Sequence, residues 1–195
     1  GQVIFGWVAL YNKTGIAKYL KAATKAAQWL VENMDSDGKW SKYTYNQIPH
    51  AYNSRVAWAL MEVSKVSNDN KYKTAAEKNI RWVLAQMKEN SWFGYMGFKS
   101  DENPSTHTIA YTLRGLLECS SFVDDDFRDE IIKAVTKASQ IILDVYKQNY
   151  YNKRKVNGLL PGTFSEEWST EAKYSCLTGN VQISIIWLRL FQISG

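Results

Sequence analysis

Apolar positions along this chain form a stripe that repeats. Tyr19, Ala22, Ala23, Ala26, Ala27 and Leu30 recur as Tyr72, Ala75, Ala76, Asn79, Ile80 and Val83, and more loosely as Phe127, Glu130, Ile131, Ala134, Val135 and Ala138. The shared i, i+3, i+4, i+7, i+8, i+11 spacing lines one face of an α-helix. The period is 53 and then 55 residues. An aromatic residue opens each stripe and alanines follow in the first two, which suits helices pressed closely against neighbours.

A second apolar helix precedes each of these, at Val3 to Lys13, Val56 to Val66 and Ile109 to Ser120. Glycine or polar residues punctuate the joins, at Thr14-Gly15, at Ser67-Asn68-Asp69-Asn70 and at Asp124-Asp125-Asp126, where one helix ends and the next is capped. The pattern predicts antiparallel α-hairpins with short connections. Gln2, Trp7, Leu10 and Gly15 reappear as Gln182, Trp187, Leu190 and Gly195 at an offset of 180. The expectation is an all-α protein, a single unit over 1–195 of about three and a half hairpins, with repeats near 1–48, 49–105, 106–176 and 177–195. Hairpin repeats bury their apolar faces on one another, and a finished array ends in polar caps. Neither end of this chain reads as a cap. It is therefore expected to be one arc of a larger ring, covered either by a second copy in a homo-oligomer or by the remainder of a longer parent chain.

The segments after the second helix of each hairpin are longer, aromatic and glycine-bearing: Asp35-Ser36-Asp37-Gly38-Lys39-Trp40, Trp92-Phe93-Gly94-Tyr95, and Gly158-Leu159-Leu160-Pro161-Gly162 leading to Trp168. Up-down helix order puts all three at one end of the bundle, where a binding site would ordinarily be built. The tryptophans could equally plug the ends of the core. The stretch from Leu30 to Trp40 resembles the helix-end Q-x-x-D-G-x-W repeat of terpenoid cyclases and protein prenyltransferases. The hairpin layout is similar to that of six-hairpin glycosidases, toroid polysaccharide lyases and N-acylglucosamine 2-epimerases. The resemblance implies an α/α-toroid fold and, for activity, a carbohydrate-active isomerase, hydrolase or lyase. A non-catalytic binding or assembly module and an isoprenoid-handling domain are the two other readings.

Candidate chemistry clusters near the loop end. His50 and His107 sit at matching places, just before the first helices of adjacent hairpins. Histidine is suited to proton transfer near neutral pH, and a toroid epimerase needs two such groups flanking a sugar ring; capping or packing is the structural alternative. Arg55 and Arg114 could clamp a carboxylate or phosphate. Glu166 and Glu167 adjoin Trp168 as a carboxylate beside a stacking platform would. With Trp40, Tyr52 and Trp92 these complete the candidate catalytic and substrate-binding set. Asp125-Asp126-Phe127-Arg128-Asp129 matches the D-D-x-x-D string of prenyl-diphosphate enzymes, but it lies at a helix start, where acids are favoured in any case. Asn33, Asp35, Asp37 and Gly38 match half a calcium loop whose twelfth position, Thr44, lacks a carboxylate. No metal site and no cofactor are expected.

Composition narrows the partners. The chain is 45% hydrophobic and 22% charged, which excludes disorder, and its net charge of +5 is spread over 24 basic and 19 acidic residues. Its one dense basic cluster, Lys153, Arg154 and Lys155, reads as a solvated loop rather than a nucleic-acid groove. Cys119 and Cys176 read as reduced thiols, and no stretch has the length of a membrane span. The expected partner is a saccharide, with neither nucleic acid nor membrane, in a cytoplasmic setting.

Overall fold

The computed structural model describes residues 1–151 and 158–194; the Lys153–Lys155 cluster and Gly195 lie outside them. The described residues contain seven α-helices: α1 (Gln2–Thr14), α2 (Ala17–Glu32), α3 (Ser54–Ser67), α4 (Asn70–Leu84), α5 (Thr106–Cys119), α6 (Asp125–Tyr151) and α7 (Leu177–Ser194). Extended pairing among them is confined to two isolated bridges, Met87 with Phe93 and Ser105 with Thr163. The helix boundaries follow the sequence punctuation. Gly15 closes α1 at φ 67°, and Asn68 closes α3 in the left-handed region that asparagine tolerates. The Asp69 side chain accepts from Lys71 N at 3.1 Å to start α4, and that of Asp124 accepts from Phe127 N at 3.0 Å to start α6.

Helices α1, α3, α5 and α7 pack side by side in chain order, and α2, α4 and α6 lie against them as their hairpin partners. The repeated stripes face the core. All six stripe positions of α4 are buried, and Ala23 and Ala27 of α2 are fully covered, with Ala26 half-buried beside them. Ile109, Leu113 and Leu116 on α5 are likewise completely buried, each worth about 2 kcal/mol over an exposed side chain. Asn79 looks like an error in its stripe. It is a docking point: its Nδ2 donates to Gly38 O at 2.9 Å, which holds the Asp-Gly-x-Trp loop onto α4. Gly38 has φ 94°, and a Cβ there would lie 2.5 Å from Lys78 O, so only glycine fits.

Two close approaches set the spacing of the first layer. A Cβ on Gly115 would lie 2.3 Å from Ser54 Oγ, and one on Gly179 would lie 2.8 Å from the Thr106 backbone. The Ser54 hydroxyl uses this proximity to donate to Thr112 O at 3.0 Å. Arg55 and His107, each one residue further on, are thereby held near one another at the heads of α3 and α5.

The two outermost helices of the layer bury opposite faces. Ile4 and Val8 of α1 are buried while Val3 and Gly6 are exposed; at the offset of 180, Ser184 and Leu188 of α7 are exposed while Ile183 and Ile186 are buried. Leu177, Val181, Leu188 and Phe191 make the open face of α7 an apolar stripe.

Candidate functional site

Arg55 is the second residue of α3, and every helix of the first layer places a side chain on its guanidinium. Gln2 of α1 accepts from Nη2 at 3.4 Å, and Gln182 of α7 accepts from Nη1 at 3.3 Å. The Tyr111 ring of α5 lies 4.1 Å from the guanidinium carbon, and Trp58 of α3 itself lies at 5.6 Å. Arg55 Nε is shielded from solvent without a partner. The nearest carboxylate that acts on it, Glu118, is taken by Arg114 Nε at 2.6 Å and by Arg189 at 3.7 Å. Burial draws the Arg55 pKa below its ordinary value, although a guanidinium keeps its charge. The result is a half-buried cation surrounded by amide oxygens and rings, with no counter-charge in contact.

His107 stands beside it. Its ring meets Tyr111 edge-on at 4.1 Å, and its Nε2 is shielded and unpartnered. Burial, and after it the Arg55 charge, lowers the His107 pKa, so the imidazole is neutral at neutral pH. Tyr52 completes the wall, set edge-on to Phe98 at 5.9 Å, its phenol pushed up to about 12, first by burial and then by Tyr45. Gln2, Tyr52, Arg55, Phe98, His107 and Tyr111 line a cleft of about 240 Å³. A second cleft of about 300 Å³, with Trp29, Trp40, Tyr43 and Tyr45 in its wall, adjoins it across Tyr52, Asn53 and Val56. Neither lining contains an aspartate or glutamate. The first turns of α1, α3, α5 and α7, which all begin at this end, are equally free of acids.

The remaining candidates from the sequence lie outside the Arg55 cleft. His50 is 2% exposed, with Nδ1 3.0 Å from Gly97 O and Nε2 2.9 Å from Tyr45 O. It ties two loops together and has no free nitrogen for proton transfer. Trp92 and Trp168 are buried and pack edge-on at 5.0 Å, and Trp168 Nε1 donates to Asn90 O at 3.0 Å. Trp40 donates to Leu30 O at 2.8 Å from a position 4% exposed. All three act as plugs of the core end. Glu166 pairs with Lys88, and Glu167 accepts from Ser165 Oγ at 2.9 Å, both outside the clefts. Arg114 is engaged with Glu118. Of the candidate set, the structure thus brings Tyr52, Arg55 and His107 together, with Trp40 and His50 in the adjoining wall, His50 stacked on Tyr52 at 4.5 Å. Gln2, Gln182, Phe98 and Tyr111 were not singled out by sequence, although the Gln2/Gln182 repetition and the His107/Tyr111 spacing of four were in view.

Asp125 of the D-D-x-x-D string pairs with Arg128 at 2.7 Å, and Asp37 of the half calcium loop pairs with Lys39. Among the described residues no group of three or more histidine, cysteine or acidic side chains is arranged to hold a metal. Both cysteines are free, Cys119 buried and Cys176 half-buried. No described helix is long and apolar enough to cross a membrane.

No protein-family profile matches the sequence, and no curated protein does so. Solved structures do match. The Lin0763 protein from Listeria innocua superposes with TM-score 0.67 at 17% identity, over 98% of this chain and 54% of that one. A polysaccharide lyase superposes with TM-score 0.70 at 10% identity, over 96% and 52%. An unsaturated glucuronyl hydrolase variant solved with dGlcA-Glc-Rha-Glc superposes with TM-score 0.62 at 14% identity, over 96% and 55%. The fold is an α/α toroid. At such identities the likeness speaks for the fold alone, and the chain spans about half the length of the structures it matches. Within the toroid, the Arg55 cleft lies where the heads of α1, α3, α5 and α7 converge.

Proposed function

We propose that this toroid chain handles a saccharide in the cleft formed by Tyr52, Arg55, His107 and Tyr111. The carrying observation is the cleft itself: aromatic walls at the helix heads, with Arg55 and His107 in the lining, whose Nε and Nε2 have no hydrogen-bond partner among the described residues. Buried polar groups without partners are rare; Gln28, Asp35, Asn79 and Ser139 carry others outside the two clefts, and the Arg55 cleft is set apart by having two of them in one aromatic lining. The lyase and glucuronyl hydrolase among its structural neighbours agree with a sugar ligand at the level of fold. His107 is the group equipped to move a proton, since its neutral imidazole can accept one at neutral pH. Hydrolysis by a carboxylate pair finds no carboxylate in the lining, so epimerase or lyase chemistry suits the site better. Nuclear magnetic resonance titration with a panel of amino sugars, uronides and neutral oligosaccharides tests the reading. Shifts at Tyr52, His107 and Tyr111 that vanish in His107→Ala are expected; silence across the panel would defeat it.

A second reading, assembly, rests on the open apolar stripe of α7, where Leu177, Val181, Leu188 and Phe191 are 58 to 70% exposed. The exposed face of α7 is equivalent to the face that α1 buries, so a second copy could dock head to tail. Sedimentation that shows association, abolished by Leu188→Lys, supports this; a monomer at high concentration removes it.

A further inference from the structure

We propose that Arg55 and His107 form a proton-coupled anion site, in which the carboxylate of an acidic sugar docks on the Arg55 guanidinium and His107 takes up one proton as it binds. This rests on the saccharide reading above and goes further by naming the charge of the ligand and its linkage to pH.

Three observations carry it. Arg55 is half-buried with no ion-pair partner, and the acceptors on its guanidinium are neutral amides at 3.3 and 3.4 Å, long for bonds to a guanidinium. A desolvated charge of this kind is costly until an opposite charge meets it. Both adjoining clefts are free of acidic residues, so nothing in the lining would repel a carboxylate. Finally, α1, α3, α5 and α7 all begin here with no acid in the first turn, and the Ser105 hydroxyl that caps α5 is neutral, so no first-turn carboxylate offsets these four helix dipoles. A carboxylate can meet the guanidinium fork through two parallel N–H···O bonds.

The coupling follows from what surrounds His107. Arg55 faces it from α3, Tyr52 from the segment before α3 and Tyr111 from its own helix, and Gly1 lines the same cleft; Gln182 of α7 and Phe98 are uncharged. In the empty cleft the Arg55 charge and burial oppose protonation. A bound carboxylate cancels the first and adds an attraction, so the imidazole gains a proton from solvent and no other reactant is needed. Affinity then rises as pH falls through the histidine range, until the ligand's own carboxyl protonates near about pH 4.

The experiment compares a glucuronate-containing disaccharide, its carboxyl-reduced neutral counterpart and a sulfated counterpart, by calorimetry in two buffers of different ionisation enthalpy from pH 5.5 to 8. The acid is expected to bind about tenfold or more tighter than the neutral sugar, the shift an adjacent opposite charge brings, with uptake approaching one proton. Arg55→Gln should erase the preference. His107→Asn should keep it but abolish both proton uptake and pH dependence. Arg55→Lys, which keeps the charge and loses the fork, should retain part of the preference and so separates charge loss from misfolding. Equal binding of acid and neutral sugars would overturn the anion site and leave the saccharide reading standing. Failure of all three to bind would remove both. Sulfate binding as tightly as carboxylate, or proton uptake unchanged in His107→Asn, would overturn the proposal as stated.

Discussion

The two ends of this molecule are built from the same helices but follow different rules. At the turn end the connections are short and two of the three helices that start there have acidic starts: Asp69 caps α4, Asp124 caps α6, and Asp125 and Asp126 occupy the first turn of α6, while α2 begins after Ile16 without an acid. The dipoles of α4 and α6 meet their ordinary complement there. At the loop end α1, α3, α5 and α7 start without acids, connections are long and aromatic, and the side chains that converge are Arg55 and His107. The hollow at the turn end is in fact larger, about 460 Å³, but lysines and amides line it and it contains none of the shielded unpartnered atoms. Volume alone does not mark a site. One end is arranged for stability, and the other leaves charge uncompensated.

Substitutions can sharpen or break this contrast. The largest effect expected is for Trp168→Ala, which should cost about 4 kcal/mol of stability in denaturant unfolding with saccharide affinity unchanged, since Trp168 is a buried plug. Loss of affinity without loss of stability would return Trp168 to the binding site. Gly115→Ala should cost about 3 kcal/mol, because the new Cβ meets Ser54 and the Arg55 backbone within 2.5 Å. It should also weaken ligand binding, as it displaces Arg55. Asp124→Ala at the other end should cost only about 1 kcal/mol, through loss of the cap, and leave binding intact.

The smallest effect concerns pH. The folded-state pKa of His107 is lowered, so between that value and the unfolded one near about 6.5 the unfolded chain binds more protons. Stability should therefore be level above that range and fall as pH drops through it. His107→Asn should flatten the slope, and imidazole resonances should titrate below the usual midpoint. A midpoint at or above it would mean that burial and Arg55 do not govern the ring.

The fold was legible in the sequence because periodicity is a local signal. The stripes and the capping residues Asn68, Asp69 and Asp124 mark the ends of α2 and α4 and the start of α6 to within a few residues, whereas α6 runs on to Tyr151, well past the last stripe position, Ala138. The site was harder to read, because it depends on which distant residues meet. His50 and His107 occupy equivalent places in adjacent hairpins, yet the carbonyls of Tyr45 and Gly97 engage the first ring on both nitrogens and leave the second with Nε2 unpartnered. Nothing local to either histidine announces that difference. Gln2 and Gln182 were visible as a repetition, but an amide has no chemistry that distinguishes a spacer from a ligand to Arg55. Glu166 beside Trp168 was attractive as a motif, and Lys88, 78 residues earlier, is what neutralises it.

The grip of Gln2 and Gln182 on one guanidinium spans 53 residues in one direction and 127 in the other. Contacts that distant cannot form until the hairpins between them are in place. During synthesis from the N-terminus, α1 and α3 could meet early, but Arg55 would wait for the last helix before acquiring its full surroundings. Ligand capture by the cleft should therefore appear only after helix content has recovered, as a reporter of the docking of α7.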